Sequence, residues 1–246
     1  MMELAEIIRG SPQQWNGLTV YPVRMKDYPL FLLAKESIAA SQQTFPMPYA
    51  AMDRLNATYQ MEGLFPRLCA LLALSFGFQK DGNLPLFPKL DGDRLVSILV
   101  VQGEHQAEIT PANFLPLREL IAQQNGIELP DETQNADILD AERDLTAQDR
   151  IALKADLESL IYSVAVKSHT DPEAIMDWTV KRFQQTERAI DRSVGHLIAA
   201  VTVAAGGKFK GGNPYPSWKF DREEDTRAIE PLSALTGRLS GAVEQK

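Results

Sequence analysis

The longest periodic feature of the chain sets the terms for its fold. Phe183, Ile190, Val194, Leu197, Ile198 and Val201 recur at spacings that fall on one face of a helix, so the segment reads as a long amphipathic helix. The pattern stops at Gly206-Gly207, where glycine can take the left-handed backbone that closes a helix. A chain that commits this much length to one helix is expected to be helix-dominated.

The rest of the sequence fits that expectation. Tyr28 to Ala40 places Leu30, Leu33, Ala34, Ser37 and Ile38 at near three-four spacing, with Lys35 and Glu36 turned outward. Thr44-Phe-Pro-Met-Pro48 then interrupts the chain, because proline removes backbone donors and disfavours helix just ahead of it. Helices are expected over Tyr49 to Gln60 and Leu64 to Phe76. Thr110-Pro111 is a helix start, with a capping residue followed by proline in the first turn, and Asn125-Gly126 is the matching stop. Leu153, Leu157, Leu160, Ile161 and Val164 mark a further helix ending before His169, and Asp171-Pro172 opens a short one that runs towards Trp178.

Strand signals are few. Leu18 to Val23 is a short alternating run with a proline, suited to an edge strand. Leu95 to Val101 and Ala107 to Thr110 flank Gln102-Gly-Glu-His-Gln106, a hairpin with a four- to five-residue loop. Residues 79–93 mix Asp-Gly turns with prolines and read as a connection. The fold class expected is therefore mainly α with a small β-hairpin, an α+β arrangement of helical modules without a doubly wound sheet. The modules are an N-terminal one, 1–92, and a C-terminal one, 93–246, which carries an acidic excursion over Glu128 to Asp149 and a Gly/Pro/aromatic tail.

Composition excludes several classes of function. The N-terminus places acids where a signal peptide has a basic region, and the longest apolar stretch, Leu68 to Phe78, is shorter than the roughly 20 residues a bilayer needs. The expectation is a cytoplasmic protein without a membrane partner. Cys69 is the single cysteine and lies in an apolar run, so it reads as core filler. His105, His169 and His196 are scattered, and no metal-ligand spacing links them. No G-x-S-x-G elbow is present. Gly207 and Gly212 have phosphate-loop spacing, but Asn213-Pro214 follows where Lys and Ser or Thr are required. No catalytic residue, cofactor or metal site is expected.

What remains is the tail, Gly206-Gly-Lys-Phe-Lys-Gly-Gly-Asn-Pro-Tyr-Pro-Ser-Trp218. Its glycines permit sharp turns, while Pro214 and Pro216 hold the chain extended, so an aromatic strip is cheap to order. It can cover a groove of its own domain or dock on a partner, with Lys208, Phe209, Lys210, Tyr215, Trp218 and Phe220 as partner-binding candidates. Lys181, Arg188 and Arg192 on the helix, with Lys208, Lys210 and Lys219 in the tail, also interleave cations with aromatics as single-stranded nucleic-acid binders do. Glu187, Asp191, the acid run Asp221 to Asp225 and a net charge of −8 make nucleic acid an unlikely partner.

In its order of features the chain resembles phage and prophage tail assembly chaperones from the tail-morphogenesis regions of Gram-positive bacteria. The resemblance rests on Leu18-Thr-Val-Tyr-Pro-Val-Arg-Met-Lys-Asp-Tyr28, Ile109-Thr-Pro-Ala-Asn-Phe-Leu-Pro-Leu-Arg-Glu-Leu-Ile-Ala-Gln-Gln-Asn-Gly-Ile127, Met176-Asp-Trp-Thr-Val-Lys-Arg-Phe183 and Lys208-Phe-Lys-Gly-Gly-Asn-Pro-Tyr-Pro-Ser-Trp218. It implies a non-enzymatic role, in which small helical proteins accompany the tape-measure protein while tube subunits assemble around it. Tape-measure or tube subunits, or a second copy in a homo-oligomer, are then the partners. The chain is longer than many such chaperones and adds the hairpin around Gly103, so a structural virion component and a nucleic-acid-binding phage protein stand as alternatives.

Overall fold

The computed structural model describes residues 10–78, 85–130, 132, 156–209 and 213–220. They form an α+β fold, mainly helical, with a two-stranded and a three-stranded antiparallel sheet. The chain divides into two compact units, Met1–Glu187 and Arg188–Lys246. The expected boundary at residue 92 lies inside the first unit. Most of the acidic excursion, the start of the helix expected from Leu153, and residues 79–84 of the expected connection lie outside the described residues.

The first unit opens with a hairpin of β1 (Gln13–Trp15) and β2 (Leu18–Val20), paired Gln13 to Val20 and Trp15 to Leu18. Its turn, Asn16-Gly17, has φ of 46° and 81°, the double positive φ that a tight two-residue hairpin requires. The helix expected over 28–40 is instead two, α1 (Tyr28–Ala34) and α2 (Glu36–Ala39). The Ser37 hydroxyl donates to the Ala34 carbonyl at 2.7 Å, and the Ile38 amide turns to Lys35. Serine thereby competes with the helix for its own backbone.

The expected helix over 49–60 is likewise a single 3-10 turn at Tyr49–Ala51 followed by α3 (Arg54–Gln60). Asp53 restarts the helix by accepting from the Asn56 amide. Then α4 (Leu64–Phe76) runs to Gly77, whose φ of 76° closes it.

The three-stranded sheet corrects the reading of 79–93 as pure connection. Residues Leu86–Asp91 form β3, which pairs with β4 (Arg94–Gln102), and β4 pairs with β5 (His105–Ile109). Pro88 is admitted because β3 is an edge strand, where a missing N–H need not break a ladder. The second hairpin is also tighter than expected: Gln102 pairs with His105, leaving Gly103-Glu104 as the turn.

Beyond it, α5 (Pro111–Asn125) starts where the Asn113 side chain accepts from the Thr110 amide at 2.7 Å and stops at Gly126, with φ of 65°. After α6 (Leu157–Ser168), His169 takes a left-handed conformation; α7 (Pro172–Met176) is capped by Asp171, and α8 spans Val180–Ala204.

Leu18, Val20, Phe31, Ile38, Leu68, Leu72, Phe76, Ile98, Phe114 and Leu117 are buried in the first unit. Amide side chains join its parts across residue 92, those of Asn56 and Asn125 buried and that of Gln102 half-buried. Asn56 both accepts from the Leu95 amide at 2.8 Å and donates to the Leu95 carbonyl at 3.1 Å. Gln102 does the same for Thr19 at 2.7 and 2.9 Å, and Asn125 accepts from the Val23 amide at 2.8 Å. Each satisfies strand or loop groups that would otherwise be buried without partners. Nearby, the Met25 amide donates to the Trp178 carbonyl and the Val180 amide to the Val23 carbonyl, tying the start of α8 into the same unit.

Candidate partner-binding site

The long helix carries two different environments along its length. Val180 and Phe183 are buried in the first unit. In the second unit the stripe comes to the surface: Leu197 is 63%, Ile198 62% and Val201 69% exposed, and Val194 is exposed as well. A row of large aliphatic side chains at i, i+3, i+4 and i+7 has a helix-sized shape and no cover among the described residues.

The tail lies on another face. The helix ends as the Gly206 amide bonds Val203 and the Gly207 amide bonds Thr202. A Cβ on Gly207 would stand 2.9 Å from the Thr202 carbonyl oxygen, so the reversal needs glycine. The chain then folds back along the helix. The Tyr215 ring sits over Gly195, 2.7 Å from where a Cβ would be. The His196 Nδ1–H donates to the Tyr215 carbonyl oxygen at 3.0 Å, and Arg192 Nε donates to that of Trp218 at 3.1 Å. Two local turns hold the strip: Asn213 accepts from the Tyr215 amide, and the Ser217 hydroxyl accepts from Lys219 and Phe220. At 3.6 residues per turn, the positions that contact the tail, 192, 195, 196 and 202, centre roughly 140° from the apolar row. The strip therefore leaves that row open.

The tail candidates separate accordingly. Tyr215 is half-buried against its own helix and Phe209 is half-buried, whereas Lys208, Trp218 and Phe220 are exposed. Lys219 lies 5.2 Å from the Trp218 ring centroid, a cation over an aromatic face. Lys210 lies outside the described residues. Gly195 is the part of the arrangement that no motif announces; its only sequence signal is a glycine inside an otherwise regular amphipathic helix.

The other sequence candidates are dispersed. Lys181 donates to the Gln123 carbonyl within the first unit, and burial pulls its ammonium below the usual lysine range. Arg192 is engaged by the strip. His105 starts β5, His169 ends α6 and His196 holds the tail. Cys69 is half-buried on α4, and burial pushes its thiol up, away from the reactive thiolate. Among the described residues no group of three or more His, Cys, Asp or Glu side chains could hold a metal ion, and no helix is long and apolar enough to cross a membrane. No protein-family model, curated protein or solved structure matches the chain.

Proposed function

We propose that this chain is a non-enzymatic protein of phage tail assembly that binds an amphipathic helix of the tape-measure protein through the open apolar row of α8. The observation that carries the reading is the exposure of Val194, Leu197, Ile198 and Val201 together, on a face the tail leaves uncovered. Helix-to-helix docking uses anchors at this spacing, and contiguous apolar surface of this kind marks interaction sites in folded proteins. The resemblance to tail assembly chaperones supplies the class of partner.

The test is co-expression with the tape-measure protein of the same phage or prophage. Leu197→Asp with Val201→Asp is expected to abolish copurification while the circular dichroism of the chain stays unchanged; retained binding would overturn the assignment of the row. Sedimentation that finds a stable dimer, lost in the same variant, would give the row to a second copy instead. Recovery of the chain from purified particles would favour a structural virion component. Binding of single-stranded DNA that weakens steeply with salt would favour the nucleic-acid reading.

A further inference from the structure

A second feature, in the first unit and independent of the helix row, is a pair of buried arginines that share one carboxylate. Arg54 on α3 and Arg118 on α5 are each only 5% exposed. Backbone carbonyls hold both in place: Arg54 Nη2 donates to Ala40 at 2.7 Å and Ser37 at 3.4 Å, and Arg118 Nε donates to Ile38 at 2.8 Å. The Phe45 ring lies 4.9 Å from the Arg54 guanidinium carbon. Carbonyl partners fix position without neutralising charge. The counter-charge comes from Glu132, whose Oε2 accepts from the Ser41 hydroxyl at 3.0 Å and the Gln42 amide at 3.1 Å. Its Oε1 accepts from Arg118 Nη2 at 3.2 Å, and Gln43 donates to its backbone carbonyl.

The carboxylate does not complete the site. Arg54 Nη1 pairs with Oε1 only at 3.8 Å, beyond hydrogen-bond reach, and both Nη1 and Nε of Arg54 are buried without a hydrogen-bond partner among the described residues. Among the described residues two cations face one anion. Burial and the neighbouring Arg118 pull Arg54 down to about 10, against the opposing pull of Glu132. Leaving a buried guanidinium partly unpaired is costly, so a structure that keeps it has a use for the charge or a better occupant. A carboxylate brings two oxygens and one charge. A tetrahedral oxyanion brings a further oxygen, able to meet Arg54 while the others keep Ser41, Gln42 and Arg118, and a second negative charge to balance the pair. Arginine forks suit such oxyanions. The Glu132 side chain is itself about a third exposed, so the place it occupies is where the arginine pair reaches solvent.

We propose that Ser41, the Gln42 amide, Arg54 and Arg118 form a binding site for a dianionic tetrahedral oxyanion, the chemistry of phosphate or a phosphate monoester, which the Glu132 carboxylate fills in this structure. Glu132 is then a competitor in cis, and its removal exposes the site.

The experiment is thermal unfolding of the full chain, wild type and Glu132→Ala, titrated with inorganic phosphate, acetate or sodium chloride at matched ionic strength. In Glu132→Ala, phosphate is expected to raise the Tm saturably, with an apparent Kd roughly tenfold or more below that of wild type, and acetate is expected to do less. Adding Arg118→Leu to Glu132→Ala should remove the phosphate response. A Tm that answers phosphate no better than chloride in Glu132→Ala overturns the proposal. If that variant does not fold, Glu132→Gln, which keeps an acceptor but not the charge, carries the same comparison; equal phosphate responses of Glu132→Gln and wild type also overturn it. O-phosphoserine identifies the source: binding at least as tight as phosphate assigns a monoester on a peptide, and binding of phosphate alone assigns the free ion.

Discussion

The two units meet the same problem, what to do with the edges and faces a helix or strand leaves over, and answer it differently. In the first, amide side chains finish what the backbone leaves open: Asn56 closes on Leu95, Gln102 on Thr19 and Asn125 on Val23. In the second, a single helix segment has one face braced by a strip of its own chain and another left apolar and exposed. Closure by specific polar pairs makes a fold unique, because each pair is satisfied in one arrangement only. An open aliphatic row makes a surface available. The contrast teaches what to look for in seeking function: groups left unfinished, an apolar face in the second unit and the Arg54 guanidinium in the first.

Substitutions can break or sharpen that contrast. The largest effect is expected in the first unit's interior, where Phe114→Ala empties a site that is 1% exposed and should cost about 4 kcal/mol in chemical denaturation. A loss under 1 kcal/mol would mean the first unit is loosely packed. Asn56→Ala removes both partners of Leu95 and should cost about 2–3 kcal/mol, whereas the same exchange at an exposed polar position would be near neutral.

A smaller effect is expected at Gly195. Gly195→Ala drives a methyl into the Tyr215 ring, and limited proteolysis should cut within 206–220 faster while the stability of the first unit changes by less than about 0.5 kcal/mol. Unchanged cleavage would show that the strip is not held by that contact. The smallest effect concerns Cys69. Its folded thiol is pushed above its unfolded range by burial, so the folded state holds the proton more tightly. That contribution is fully present below the unfolded pKa and fades as pH rises through the folded one. Cys69→Ala should therefore flatten the decline of Tm above about pH 9, near the ordinary thiol range.

How much of this was legible in the sequence depends on punctuation. The helices α4 and α5 lie where they were read, α5 because Thr110-Pro111 and Asn125-Gly126 bound it, and the end of α8 followed from Gly206-Gly207. The second strand of the first hairpin was read within Leu18–Val23, but its partner Gln13–Trp15 was not, although Asn16-Gly17 is a strong turn signal, since three residues offer too little alternation to register. Strand β3 was hidden by Pro88, a residue that argues against a strand unless the strand is known to be at an edge. In the tail, aromatic content pointed to a contact but not to which face of α8 would receive it, because that depends on a missing side chain at Gly195. The arginine pair left no trace: Arg54, Arg118 and Glu132 come from separate elements with no shared motif, and only the fold brings them together.

Pro88 also limits how the molecule can meet others. It sits in the middle of an edge strand whose neighbours Phe87 and Leu90 are exposed, the composition that invites a foreign strand to add on and propagate a sheet. With no N–H at Pro88 and the pairing with β4 shifted between Lys89 and Leu90, that edge offers an incomplete template. Sheet extension from this side is discouraged by construction, and a crowded assembly could bring many copies together without their strands zipping into one another.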